Sequence, residues 1–123
     1  MNFEHTIENQ KLILEFEGDL IEIPRDTGLT IIIEDAIEQG IRLCAIDISK
    51  LRYMNSTGIN TLILVLTKFR NRGGEVVLIN PSDQIKNLLI ITKLSAIFTI
   101  AYSKEEAMQL LEQELSTGAS DNE

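Results

Sequence analysis

The chain has 123 residues, 44% hydrophobic and 24% charged, an ordinary balance for one globular domain able to bury a core without disulfide or metal staples. Its formal net charge of −8 argues against a general affinity for nucleic acid, which needs a basic footprint. One cysteine permits no intramolecular disulfide, MNFEHTIENQ has no secretory signal pattern, and the apolar stretches are too short or too interrupted to span a bilayer, so a cytoplasmic protein with no membrane contact is expected.

In chain order, Phe3 to Ile7 is a weak strand candidate beside the turn Glu8-Asn9-Gln10. Lys11 to Phe16 alternates apolar and polar residues, as a strand does. Asp26 to Gln39 places Leu29, Ile32, Ile33, Ala36 and Ile37 at helical spacing and stops at Gly40. Ile41 to Ile48 is short, β-branched and mostly apolar, the pattern of a buried strand. A loop over Ser49 to Asn55 follows, with Tyr53 and Met54 as anchors. Ser56 to Asn71 is the longest apolar helix, with Ile59, Leu62, Ile63, Leu66 and Phe69 on one face.

The Gly73-Gly74 turn launches the strand Glu75 to Ile79, which Asn80-Pro81 stops. Ser82 caps a helix running to Thr92, and Phe98 to Tyr102 is the last strand. Ser103 and Glu106 form a capping box at the start of a helix ending near Leu115. The small, polar, acidic segment Ser116 to Glu123 reads as a frayed tail. The alternation of strands and helices predicts one α/β domain over residues 1–115, with a disordered acidic tail over 116–123. Its sheet is mixed but mostly parallel, with about five strands and about four helices packed against it, and the first two strands form an antiparallel edge hairpin.

Little here suggests catalysis. The one histidine, His5, sits in the weak first strand, and Cys44 sits mid-strand, where a small hydrophobe is the better reading than a catalytic partner. One His and one Cys cannot build a usual zinc site, and no phosphate-binding glycine motif occurs. Glu34-Asp35 and Glu105-Glu106 read as solvated helix faces, and Asn55-Ser56-Thr57 fits the glycosylation pattern only nominally without a secretory signal. Charge is uneven. Residues 1–49 carry eleven acidic and three basic side chains, whereas 50–74 carry Lys50, Arg52, Lys68, Arg70 and Arg72 and no acid. The last three fall at a helix end, where cations complement the dipole, and this reading outweighs steering of a charged partner.

The informative segment is Ala45 to Leu66, AIDISKLRYMNSTGINTLILVL. A buried strand ends near Asp47, a short connection follows, and Asn55-Ser56-Thr57-Gly58 opens an apolar helix. A hydroxyl is thereby presented at the positive end of a helix on the rim of a sheet, while Gly58 lets a backbone or a ligand come close. On spacing alone, a well-capped helix with no further role is the favoured reading.

The segment resembles the signature of STAS domains of the anti-sigma factor antagonist class: a strand ending in Asp, an aromatic or apolar pair, then Asp-Ser-Ser-Gly and an apolar helix. Asp47, Leu51, Tyr53, Met54, Ser56, Gly58 and Ile59 fall at matching places. Glu17-Gly18-Asp19-Leu20 resembles the family's glycine-leucine step, Gly73-Gly74-Glu75 with VVLIN its glycine turn and fourth strand, and IKNLLIITKLSAIFTI its following helix and phenylalanine strand. Two positions depart from the pattern: Asn55 stands where Asp is usual, and Thr57 where the second Ser is usual.

The resemblance implies a non-catalytic, phosphorylation-switched bacterial protein without a cofactor. It would bind an anti-sigma factor serine kinase until that kinase phosphorylates Ser56, with Thr57 as fallback, and a serine phosphatase would restore binding. The implied docking rim covers the Gly18 to Ile23 and Ser49 to Asn55 loops and the start of the helix. Its residues are Gly18, Asp19, Leu20, Asp47, Asn55, Ser56, Thr57, Gly58, Asn60, Thr61 and Leu64, where Leu64 either anchors the partner or is buried by another helix. A monomer or weak dimer fits such a switch. The alternative from the same family is a scaffold subunit of a larger signalling or lipid-transport complex, and an enzyme using Ser56 as nucleophile lacks a base.

Overall fold

The computed structural model describes residues 2–21 and 27–121, the last eight of these as backbone only. Among them, β1 (Asn2–Glu8) and β2 (Lys11–Leu20) form a hairpin, followed by α1 (Leu29–Glu38), β3 (Leu43–Met54), α2 (Ser56–Arg70) and β4 (Glu75–Ile79). Then come α3 (Asp83–Ile91), a single 3₁₀ turn at Leu94–Ala96, β5 (Thr99–Ala101) and α4 (Lys104–Asp121). The five strands lie in sequence order, β1-β2-β3-β4-β5; β1 runs antiparallel to β2 and all other pairs are parallel.

That order decides where the helices go. Parallel crossovers are right-handed, so a sheet that always advances the same way stacks its crossover helices on one face. Alternate strand residues separate the two faces. Leu12, Leu14 and Phe16 of β2, Cys44, Ile46 and Ile48 of β3, and Val76 and Leu78 of β4 share one buried cluster with Leu29 and Ile33 of α1, Leu62 and Phe69 of α2, and Ile85 and Leu89 of α3. The other face holds a smaller cluster, in which Leu43, Ala45, Val77, Ile79 and Ala101 meet Ala107 and Leu111 of α4. Lys11 is buried on this side too, its Nζ 3.3 Å from Glu112 of α4.

Local signals explain the element starts. Asn9 and Gln10 both take positive φ (50° and 63°), the left-handed conformation of a two-residue hairpin turn. The Ser82 hydroxyl accepts from the Ile85 amide at 3.3 Å. Ser103 accepts from the Glu106 amide at 3.1 Å, while the Glu106 carboxylate reaches back to the amide of Tyr102 at 2.9 Å, one residue before the cap. Arg70, at the end of α2, joins Glu75 at 3.0 Å and the Ile97 carbonyl at 2.9 Å, fixing that helix end to β4 and the 3₁₀ turn. Lys68 reaches Glu34 of α1 at 3.0 Å, so two of the three cations at this helix end are used inside the molecule.

Three boundaries differ from the sequence reading. β2 continues to Leu20 and β3 to Met54, where loops were expected: Gly18 pairs with Leu51, Asp19 with Tyr53 and Leu20 with Met54. Two register shifts, between Glu15 and Glu17 and between Gly18 and Asp19, break the period-two pattern and hide this continuation. β4 pairs with β3 only as far as Asp47 and β1 with β2 only as far as Glu17, so beyond Glu17 and Lys50 β2 and β3 continue as a two-stranded ribbon. α1 is described from Leu29, after Gly28 at φ 82°; the expected start at Asp26 and the end of the first loop at Glu22 and Ile23 lie outside the described residues. The backbone of α4 remains helical to Asp121, beyond the expected end at Leu115 and through the Ser116-Thr117-Gly118 segment.

The ribbon carries α2 against its end. A Cβ at position 58 would collide with the backbone carbonyl of Leu20 and stand 2.9 Å from Met54 Cβ. Only glycine permits this approach of helix to strand. Gly58→Ala is therefore expected to destabilise the fold by about 1–3 kcal/mol through overpacking, outweighing the gain of about 1 kcal/mol that Ala brings to a helix interior. Urea unfolding measures the sign; a more stable Gly58→Ala protein would show that the contact carries no such constraint.

Candidate functional site

α2 opens at the tip of the ribbon. Asn55 is its N-cap, in extended conformation, and the Asn55 Oδ1 accepts from the Gly58 amide at 3.0 Å. The Asn55 carbonyl accepts from Ile59 N at 2.9 Å, beginning the helical ladder. Ser56 is the first helical residue. It is exposed, and its hydroxyl bonds to no described residue. The amides of Ser56 and Thr57 precede the first intrahelical bond, so the positive end of the helix lies at this hydroxyl. The first turn holds no acidic residue.

The expected rim residues divide. Ser56 and Asn60 are exposed, and Leu64 is half-buried and belongs to neither apolar cluster; with four-residue spacing they form one outward stripe on α2. Asn55 and Thr57 are half-buried at its start, and Gly18 and Asp19 are half-buried on β2. Leu20 and Gly58 are buried against each other and hold the rim from beneath. Thr61 does not belong to the surface: it is 1% exposed, and its hydroxyl donates to the Thr57 carbonyl at 2.9 Å, a bond that satisfies it inside the helix. Asp47 also stands apart. It lies in the strand register of Leu43 and Ala45, on the face that α4 covers, and accepts from Ser49 N and Oγ at 2.9 and 2.7 Å.

The ribbon adds features that composition hid. Tyr53 and Met54 were both read as anchors, but Met54 is buried while Tyr53 is 47% exposed. Ile21, at the end of the partner strand, is 45% exposed. Arg52 reaches Asp19 across the ribbon at 3.4 Å. Away from Ser56, a cleft of about 1020 Å³ opens between the ribbon and the start of α3, walled by Glu17, Asp19, Lys50, Arg52, Ser82 and Gln84. No sequence signal joins Ser82 and Gln84 to residues thirty or more positions earlier; the parallel topology does.

The Cys–His alternative has no geometry to work with. Cys44 is wholly buried, and burial pushes its thiol far above the usual range, so it stays protonated; His5 lies exposed on the edge strand. Among the described residues no group of His, Cys, Asp and Glu is arranged to hold a metal ion, and no helix is long and apolar enough to cross a membrane.

Comparison with known proteins agrees with this architecture. Over 71 residues the chain is 30% identical to BtrV of Bordetella bronchiseptica, a protein named as an anti-sigma factor antagonist; the match covers 58% of this chain and 61% of that one, so it spans about three fifths of the relative. In fold the chain is similar to SpoIIAA of Bacillus, an anti-sigma factor antagonist. The TM-score is 0.77 against the unphosphorylated form, with 18% identity and coverage of 91% of this chain and 97% of that one. Against the phosphorylated form the TM-score is 0.69, with 19% identity over 88% and 97% of the two chains. A crystal structure from Thermotoga maritima, of a protein named for the same role, gives a TM-score of 0.75 with 19% identity, covering 89% of this chain and 94% of that one. The family pattern of the STAS domain matches residues 3–107, nearly the whole of the sheet and its helices, and the chain therefore belongs to the STAS domain family.

Proposed function

We propose that this protein is an anti-sigma factor antagonist: it captures an anti-sigma factor of the serine-kinase type at the rim around Ser56 and thereby frees a sigma factor. The kinase transfers a phosphoryl group from its own ATP to the Ser56 oxygen, with release of ADP and a proton, and this ends the complex. A serine phosphatase restores binding. The chain contributes a surface and an acceptor hydroxyl, needs no cofactor, and works in the cytoplasm as a monomer or weak dimer. Residues 1–115 form the binding domain.

The observation that carries this reading is the Ser56 hydroxyl itself, exposed and hydrogen-bonded to no described residue, on the first residue of α2. A hydroxyl used only as a cap would be engaged with the helix amides; here Asn55 has taken that role. The names of the relative and of the fold neighbours support the same reading. The docking surface consists of Asn55, Ser56, Thr57, Asn60 and Leu64 with Gly18 and Asp19 beside them.

A phosphate brings roughly −1.5 to −2 charges. At the start of a helix that charge is favourable by about 0.3–1 kcal/mol. The two amides of Ser56 and Thr57 are available to it, and no acid of the first turn opposes it. The switch therefore acts on the interface, where a hydrated dianion must be desolvated, and not on the fold. A penalty of about 3 kcal/mol lowers affinity roughly a hundredfold.

Four outcomes follow for the protein and its cognate kinase. Phosphate maps to Ser56 by mass spectrometry, and Ser56→Ala takes none; full labelling of that variant would sink the assignment. Phosphorylation leaves the melting temperature equal or slightly higher while partner affinity falls about a hundredfold. If affinity falls only because the domain melts, the surface mechanism is wrong. Asn60→Arg weakens the complex at least about tenfold, a loss of ~1.4 kcal/mol, with the unfolding midpoint unchanged. Because Asn55 replaces the usual Asp, Ser56→Asp combined with Asn55→Asp weakens binding more than Ser56→Asp alone; equal affinities in a titration would remove any role for charge at position 55.

A further inference from the structure

The outer side of β1 is one edge of the sheet. The strand runs seven residues, Asn2–Glu8, and pairs with β2 without interruption from Asn2↔Glu17 to Glu8↔Lys11. Sheet edges are usually blunted by proline, by charged side chains, by a bulge or by shortness. β5, at the opposite edge, has three residues, whereas β1 contains no proline or register shift and carries two charged side chains, Glu4 and Glu8. All its residues are exposed except Phe3, which is half-buried with its ring edge-on to Phe16 at 6.2 Å. Ile7 is 44% exposed.

The hairpin turn determines which backbone groups face outward. A two-residue turn closes on a hydrogen-bonded pair, here Glu8↔Lys11, and such pairs alternate along the ladder. Asn2, Glu4, Thr6 and Glu8 thus spend their amides and carbonyls on β2, leaving those of Phe3, His5 and Ile7 directed outward. A symmetric antiparallel partner must meet these three positions. A two-fold axis at His5 satisfies all of them and uses the whole strand: His5 faces His5 of the other copy, and Phe3 faces Ile7. The same register sets Glu4 opposite Thr6 and Asn2 opposite Glu8, so no two carboxylates are direct neighbours. An axis at Phe3 or Ile7 uses fewer residues, and one at Thr6 would set Glu4 against Glu8 and leave the outward groups unpaired.

We propose that β1 pairs edge to edge with β1 of a second copy of this chain, antiparallel and centred on His5, extending the sheet to ten strands. The contact is reversible and salt-dependent. Each copy carries a net charge of −8, so screening favours association. The surface lies on the strand farthest from β5 and does not include Ser56, so it stands independently of the partner proposed above.

Sedimentation of the full chain at millimolar concentration should show mass rising from 13.8 kDa toward twice that value, more so at high salt. His5→Asp, which sets two carboxylates face to face at an exposed position, should abolish the dimer without moving the urea midpoint. Cysteine variants test the register, because the native Cys44 is buried and inert. Facing residues in a hydrogen-bonded pair have Cα atoms about 5.5 Å apart, within disulfide range. Two copies of residue 7 would lie about 13 Å apart in this register. Mild oxidation should link His5→Cys into a covalent dimer and leave Ile7→Cys monomeric. A wild-type chain that stays monomeric at millimolar concentration in high salt, a His5→Asp variant that dimerises like the parent, or equal cross-linking of the two cysteine variants would overturn the proposal.

Discussion

The packing of Gly58 on the carbonyl of Leu20 is the constraint on which the rest of the rim depends. It joins the first turn of α2 to the last pair of the β2–β3 ribbon, so the helix start can move only if the sheet moves with it. Asn55 then fixes the direction of the first turn by holding the Gly58 amide. Between these two contacts Ser56 is held at the surface, its hydroxyl bonded to no described residue. A flexible loop would have to pay ordering entropy each time a partner arrived, whereas a helix start locked to a strand has lost that freedom already on folding.

The topology adds an asymmetry. Three crossover helices crowd one face of the sheet, and α4 alone covers the other. The larger cluster supplies most of the buried apolar area, and with it most of the hydrophobic stabilisation. The smaller one depends on Ala107 and Leu111, with Lys11 closing its side through Glu112. β4 stops pairing at Asp47 while β3 continues to Met54, so the ribbon runs past the end of β4 and buries Leu20, Leu51 and Met54 against the helical layer, with its end against the start of α2. The site thus stands at the one place where two strands outrun the rest of the sheet.

Sequence reasoning reached the fold because its signals were local. Period-two and helical spacing located the strands and helices, and Asn55, Ser82 and Ser103 marked helix starts by a chemistry that works over three residues. It failed where the controlling interaction was distant. Two bulges disguised residues 17–20 and 49–54 as loops, since a register shift moves polar side chains into what should be the buried phase. Thr61 looked polar and available, yet its hydroxyl is satisfied by the carbonyl four residues back and the side chain is buried. Asp47 matched the family pattern in sequence but turns to the opposite face from α2. Val65, absent from the expected stripe, is buried, because the apolar arc of a helix between sheet and neighbour is wider than a heptad seam.

Cys44 has one consequence of a different kind. It sits in the middle of β3, the central strand, with no path for solvent, and its thiol remains protonated there. Oxidants and alkylating reagents act on thiolates, so the folded chain offers them nothing. The same sulfur becomes ordinary once the central strand separates from its neighbours. The rate at which a thiol reagent consumes the protein is then a clock for openings that reach the middle of the sheet, blind to fraying at the edges and to events at the rim.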